Sequence, residues 1–134
     1  MDVQSLAGLP AFLVYFSVAA VLIVAYIFVY TWITPHDEFA LIRNNVPGAA
    51  IALGLSTVGF ALPLTSAIGH ANDVIDMTIW GIVALIVQIA AYYLARIPLP
   101  DLSKRIAAGE LGPAIWLGCA SVTAGLIDAA SMST

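Results

Sequence analysis

Within the apolar runs of this chain only a handful of side chains could do chemistry. They are Gln88, Pro63, the hydroxyls Ser56, Thr57, Thr65, Ser66, Ser121 and Thr123, and one acid, Asp128. Polar groups inside a bilayer are costly, so each is a functional candidate by default. Hydroxyls are the weak exception, because they bond back to a carbonyl one turn earlier. Ser56, Thr57, Ser121 and Thr123 form a hydroxyl band that reads either as a narrow polar path or as glue between helices. Gln88 must face protein, since its amide has both donors and acceptors to satisfy; it makes an interhelical bond or lines a pore. Pro63 removes a helix hydrogen bond and frees the carbonyl of Gly59. Thr65 and Ser66 are placed to satisfy the freed group, unless an ion or water does so. Asp128, with His70, Asn72 and Asp73, forms an outward cation or proton site or is solvated at a helix end. His36 with Asn44 and Asn45 either caps helices or presents a docking surface.

Catalysis is not expected. No HExxH, CxxC, GxSxG or P-loop pattern occurs. His36 and His70 fall about a membrane apart and cannot share a haem or metal in one chain, so no cofactor is implied. Cys119 has no basic neighbour to lower its pKa and reads as a packing residue. The 134 residues include 4 basic and 8 acidic side chains, are 62% hydrophobic and 9% charged, and carry a net charge of −4. Soluble domains carry about 25% charged residues. This composition excludes a soluble enzyme, a nucleic-acid binder and a disulfide scaffold, and leaves an integral membrane protein in a lipid bilayer.

The elements that position these residues are four apolar spans, at about 9–33, 49–69, 77–95 and 111–130, each near the roughly 20 residues needed to cross a bilayer. The first would be about 37 Å long, so it should tilt or protrude; with no preceding Lys or Arg it is not a cleavable leader. Arg43, Arg96, Lys104 and Arg105 all fall between spans one and two or three and four. The positive-inside bias makes those links cytoplasmic and both termini external. Inside, the basic residues meet Asp37, Glu38, Asp101 and Glu110; outside lie Asp2, Asp73, Asp76 and Asp128. That outer rim either concentrates cations at a pore mouth or is simply tolerated acid.

A shift of 64 positions brings Ile33 onto Ile97, Asp37 onto Asp101 and Ile42 onto Ile106, and carries Ala50-Ile51-Ala52-Leu53-Gly54 onto Ala114-Ile115-Trp116-Leu117-Gly118. This predicts a single membrane domain made of two hairpins, about 9–70 and 73–134. Each hairpin has an even number of spans, so the two insert in parallel, with a pseudo-axis along the membrane normal. Small residues four apart, including Ala50/Gly54, Ala114/Gly118, Ala120/Ala124 and Ser121/Gly125, place spans two and four inside the bundle or at a subunit interface, with Gly54, Gly118 and Gly125 as packing residues. Aromatic-rich spans one and three should face lipid. The links, Thr34-Pro35-His36-Asp37-Glu38 and Pro100-Asp101-Leu102-Ser103, should each open a short surface helix.

The run Ile33-Thr34-Pro35-His36-Asp37-Glu38-Phe39-Ala40-Leu41-Ile42-Arg43-Asn44-Asn45 resembles the YjfL-type family of small bacterial inner-membrane proteins, a domain family of unknown function. The likeness continues through Ala49-Ala50, Gly59, Pro63-Leu64-Thr65-Ser66 and Ala129-Ala130. It implies an all-α, four-helix inner-membrane bundle of two similar hairpins, and no reaction or substrate. The expected function is a non-enzymatic membrane subunit, either a homo-oligomer or part of a larger membrane complex. The alternative is a small homo-oligomeric channel or carrier for an ion or small solute.

Overall fold

The computed structural model describes residues 6–132. Asp2, read as an outward acid, lies outside the described residues, as do the last two positions of the second hairpin. Among the described residues six helices follow one another: α1 (Leu9–Ile33), α2 (Glu38–Arg43), α3 (Pro47–His70), α4 (Val74–Ala95), α5 (Leu102–Ala107) and α6 (Leu111–Met132). The long ones, α1, α3, α4 and α6, are each long and apolar enough to cross a membrane. The fold is an all-α bundle compatible with a bilayer.

Local chemistry sets the boundaries. Pro10 and Pro47 lie in the first turns of α1 and α3, where a missing N–H is no loss. At α4 the Asp73 carboxylate accepts from the Asp76 N–H at 2.8 Å, and Asp76 accepts from the Asn72 N–H at 3.0 Å. Two helix-start donors are thereby satisfied. Pro35 forces Thr34 into extended backbone and ends α1. The first link helix therefore begins at Glu38, not at Pro35, with Asp37 as its cap, accepting from Ala40 N–H at 3.2 Å.

Both link helices end in the same turn. Asn45 N–H donates to Ile42 O and Val46 N–H to Leu41 O; 64 positions on, Gly109 N–H donates to Ile106 O and Glu110 N–H to Arg105 O. The residues that reverse the chain, Asn45 (φ 61°) and Gly109 (φ 91°), occupy the left-handed region, as this helix-ending motif requires.

Helix α3 is the centre of the bundle and packs against all five other helices, most extensively against α6. That seam is a backbone contact. A Cβ on Gly125 would strike the Gly59 backbone, and one on Gly59 would strike the backbone of Ser121. Helices α1 and α6 flank the α3–α4 pair. The expected division of spans holds at its extremes only, with α3 the most buried and α1 the least. Helix α4, expected in lipid, buries Met77, Gly81, Ala84, Gln88 and Tyr92. Helix α6, expected inside, has neighbours on one side and exposes Ile115, Trp116, Leu126 and Ile127. Nor is the first span's aromatic content uniformly lipid-facing: Phe12, Phe16, Phe28 and Trp32 are exposed, but Tyr26 and Tyr30 are buried.

Candidate functional site: the α3–α6 seam and the linked end of the bundle

The intramembrane polar groups are mostly closed onto carbonyls. Ser56 and Ser121, both buried, share a 3.2 Å hydrogen bond across the α3–α6 seam. Thr57 donates to Leu53 O at 2.8 Å and Thr123 to Cys119 O at 2.8 Å, each within its own helix. The hydroxyl band therefore forms one interhelical bond flanked by hydroxyls turned back on their own helices. Gly118 and Gly125 lie buried in the seam, with Leu55 packed over Gly118. Gly54 does not: it is exposed, and a Cβ there would meet nothing. Gly59 takes the close-packing role instead.

Pro63 and Gln88 form one unit. Gln88 Nε2 donates to Gly59 O at 3.0 Å, the carbonyl that Pro63 leaves without its helical donor. Thr65 and Ser66 do not fill that role. Thr65 donates to Leu62 O at 2.6 Å, and Ser66 reaches across to Ala129 O at 3.0 Å, tying α3 to α6. The other amide atom of Gln88, Oε1, is buried without a hydrogen-bond partner. Asp128 is half-buried, and among the described residues no hydrogen bond or ion pair joins it to His70, Asn72 or Asp73. His70 Nδ1 instead sits 2.9 Å from Ser66 O, and Asp73 caps α4. Cys119 is exposed rather than packed inside.

The richer cluster lies at the end where the two links meet. His36 Nε2 is 2.6 Å from Glu38 Oε1, with the side chains 4% and 0% exposed. The contact lacks the alignment of a hydrogen bond and becomes an ion pair when the imidazole is protonated. Above it stands an aromatic column. Tyr26 stacks on Phe60 with centroids 4.7 Å apart, and Tyr30 meets Tyr92 edge-on at 5.8 Å. Tyr92 Oη and Ser103 Oγ are 3.1 Å apart, which fixes α5 beneath α4. Trp116 Nε1 donates to Ala95 O at 2.9 Å, closing the end of α4. Arg96 lies over the Tyr92 and Tyr93 rings, 5.8 and 5.9 Å from their centroids.

His36 is thus not a partner of Asn44 and Asn45 in an exposed docking face. It is turned inward, while the two asparagines stay exposed and close the end of α2 through their backbone N–H groups. Sequence reasoning missed Glu38, Tyr26, Tyr30 and Tyr92, reading the acid as part of a link-helix start and the tyrosine-bearing spans as lipid-facing. Two signals were available. Leu22, Tyr26 and Tyr30 recur four apart, one face of a helix. The shift that pairs Asp37 with Asp101 also puts Glu38 on Leu102, an apolar position.

Between the links opens a cavity of about 470 Å³, walled by Pro35, His36, Arg96, Pro100, Asp101, Ser103, Lys104 and Ala107. A second hollow of about 510 Å³ runs between α4 and α6 among Ala91, Ala95, Trp116, Cys119, Ala120 and Ala124.

Known proteins share this arrangement of sequence along their whole length. The family described as Domain of Unknown Function (DUF350) matches residues 4–132. The chain is 33% identical over 128 residues to the UPF0719 inner membrane protein YjfL of Escherichia coli (strain K12), covering 96% of this chain and 97% of that one. The protein of the same name from Escherichia coli O157:H7 matches with the same identity and coverage. No solved structure matches. A family match spanning all four long helices, with a full-length relative to go with it, has one consequence: the chain belongs to the DUF350 family.

Proposed function

We propose that this protein is a non-enzymatic multi-pass subunit of the bacterial inner membrane, working as a homo-oligomer or as an accessory component of a larger assembly. The carrying observation is where the intramembrane polar groups go. Ser56 pairs with Ser121, Gln88 with the Gly59 carbonyl, and Thr57 and Thr123 with their own helices. These groups hold α3, α4 and α6 together and, among the described residues, leave no row of free polar side chains along the bundle. The α4–α6 hollow, floored by Ala91, Ala95, Ala120 and Ala124, is the surface on which another helix would pack closely. With the basic links in the cytoplasm, both termini lie outside. The relative's printed description as an inner membrane protein supports the same location.

Native mass spectrometry of the particle extracted in mild detergent tests the assembly. Cys119, exposed in that hollow, provides a cross-linking handle in intact membranes. The expected result is a particle of fixed stoichiometry, with Cys119 cross-linked to a second copy or to one partner. A bare monomer with no Cys119 cross-link overturns the reading. A second reading, an oligomeric channel or carrier, draws on the unpartnered Gln88 Oε1 in the core. On that reading Gln88→Leu changes ion flux into liposomes while assembly persists; on the first reading it changes only stability.

A further inference from the structure

We propose that the cavity between the two links binds the phosphate group of an anionic phospholipid, a role separate from the assembly proposed above. Its walls carry two cations, Arg96 and Lys104, one carboxylate, Asp101, and the ring of His36. His36 is the inward wall: its side chain is 4% exposed and its Nε2 is turned to Glu38. Two cations on the walls of one cavity, with a single carboxylate among them, make a place for an oxyanion. Ser103 is held on Tyr92 at 3.1 Å and shapes the wall. The volume, about 470 Å³, lies within the roughly 300–1,000 Å³ of small-molecule sites.

Two features favour a lipid over a free anion. Asp101 offsets one of the two cations, so the site suits a singly charged phosphodiester better than inorganic phosphate, part of which is doubly charged at neutral pH. The remaining walls, Pro35, Pro100 and Ala107, are apolar. A second hollow of about 330 Å³, lined by Tyr93, Arg96, Ile97 and Pro100, shares Arg96 and Pro100 with the first. It leads onto the exposed faces of Tyr93, Leu94 and Ile97. A headgroup in the cavity would therefore have a continuous apolar path for its acyl chains down the outside of α4. A basic pocket between helices at the membrane surface is a general means of holding anionic lipid.

The test is retention of phosphatidylglycerol by the full chain in mild detergent, read by native mass spectrometry beside phosphatidylcholine and inorganic phosphate. Phosphatidylglycerol is expected to be retained severalfold better than phosphatidylcholine. It should not be displaced by an equal concentration of inorganic phosphate. Lys104→Ala is expected to lower its retention about fivefold. Lys104 is exposed, so this variant keeps the fold, which an unchanged melting curve verifies; Arg96→Ala adds a similar loss. Equal retention of the two lipids, or a folded Lys104→Ala protein that holds phosphatidylglycerol as well as the parent, overturns the proposal. Displacement by inorganic phosphate also overturns it, because the ligand would then be a soluble anion.

Discussion

The two links run on one backbone plan and turn different chemistry inward. Each has an aspartate before its short helix, Asp37 or Asp101, and each helix closes with the same pair of backbone hydrogen bonds onto a left-handed residue. In the second link the inward position is Leu102, 0% exposed, and the charges stay outside, with Arg105 donating to Glu110 at 3.0 and 3.1 Å. That exposed hydrogen bond to Glu110 holds the Arg105 guanidinium above its ordinary pKa, and such a pair contributes little to stability. In the first link the same position is Glu38, 1% exposed and paired with His36. The turn is a generic support; the distinctive chemistry comes from replacing a leucine by an acid and a proline by a histidine. A buried ion pair is no better for stability than a well-packed apolar pair. The difference therefore points to use of that end of the bundle rather than to folding.

The sharpest way to break the comparison is His36→Ala. It leaves Glu38 buried without its His36 partner, a loss of about 3–5 kcal/mol when the pair is charged. The corresponding change in the second link, Pro100→Ala, should stay within about 0.5 kcal/mol. Unfolding both variants in detergent with a graded denaturing surfactant, followed by circular dichroism, gives the two values. Adding Glu38→Leu to a His36→Leu background, which makes the first link resemble the second, should recover most of the stability. If His36→Ala costs no more than Pro100→Ala, the two links are energetically alike and the inward acid is inert.

The long helices and the short link helices were legible because their signals are local: apolar runs of spanning length, proline at α1 and α3, aspartate before α2. The Gly59 carbonyl freed by Pro63 was legible too, since proline chemistry is fixed by covalent structure. Its donor was not, because Gln88 arrives from another helix and periodicity does not say which faces of two helices meet. The same limit hid the cluster around Glu38. An acid two residues beyond a histidine reads as a helix start, and only the assembled fold, which leaves Glu38 1% exposed, removes the water. Small-residue stripes mark close approach but not the partner. That is why Gly125 and Gly118 found α3 while Gly54, with an equally good spacing, found nothing among the described residues.

The turn residues give a smaller contrast. Gly109 has φ 91° and open space where a Cβ would go, so Gly109→Ala tests backbone conformation alone. It should cost about 1–2 kcal/mol, the penalty for an ordinary L-residue in left-handed backbone. Gly109→Asn, which copies the first link, should recover much of that, because asparagine enters this region more readily. The same surfactant titration reads both. Equal losses for Ala and Asn would mean that Asn45 is itself strained, and that the first link accepts a cost the second avoids.

The smallest effect separates the two capping aspartates. Asp37 accepts from the Ala40 N–H at 3.2 Å, whereas the Asp101 side chain makes no such bond and faces the cavity. Asp37→Ala should therefore cost about 1 kcal/mol through the lost cap, and Asp101→Ala should leave stability within about 0.5 kcal/mol. Binding should show the reverse order. Removing Asp101 takes a negative charge from a wall that holds Arg96 and Lys104 and should raise retention of an anionic lipid, while Asp37→Ala should not change it. Measuring stability and phosphatidylglycerol retention on the same pair of variants separates the two roles. An Asp101→Ala protein that loses stability as Asp37→Ala does would make both aspartates helix caps and remove the electrostatic distinction between the links.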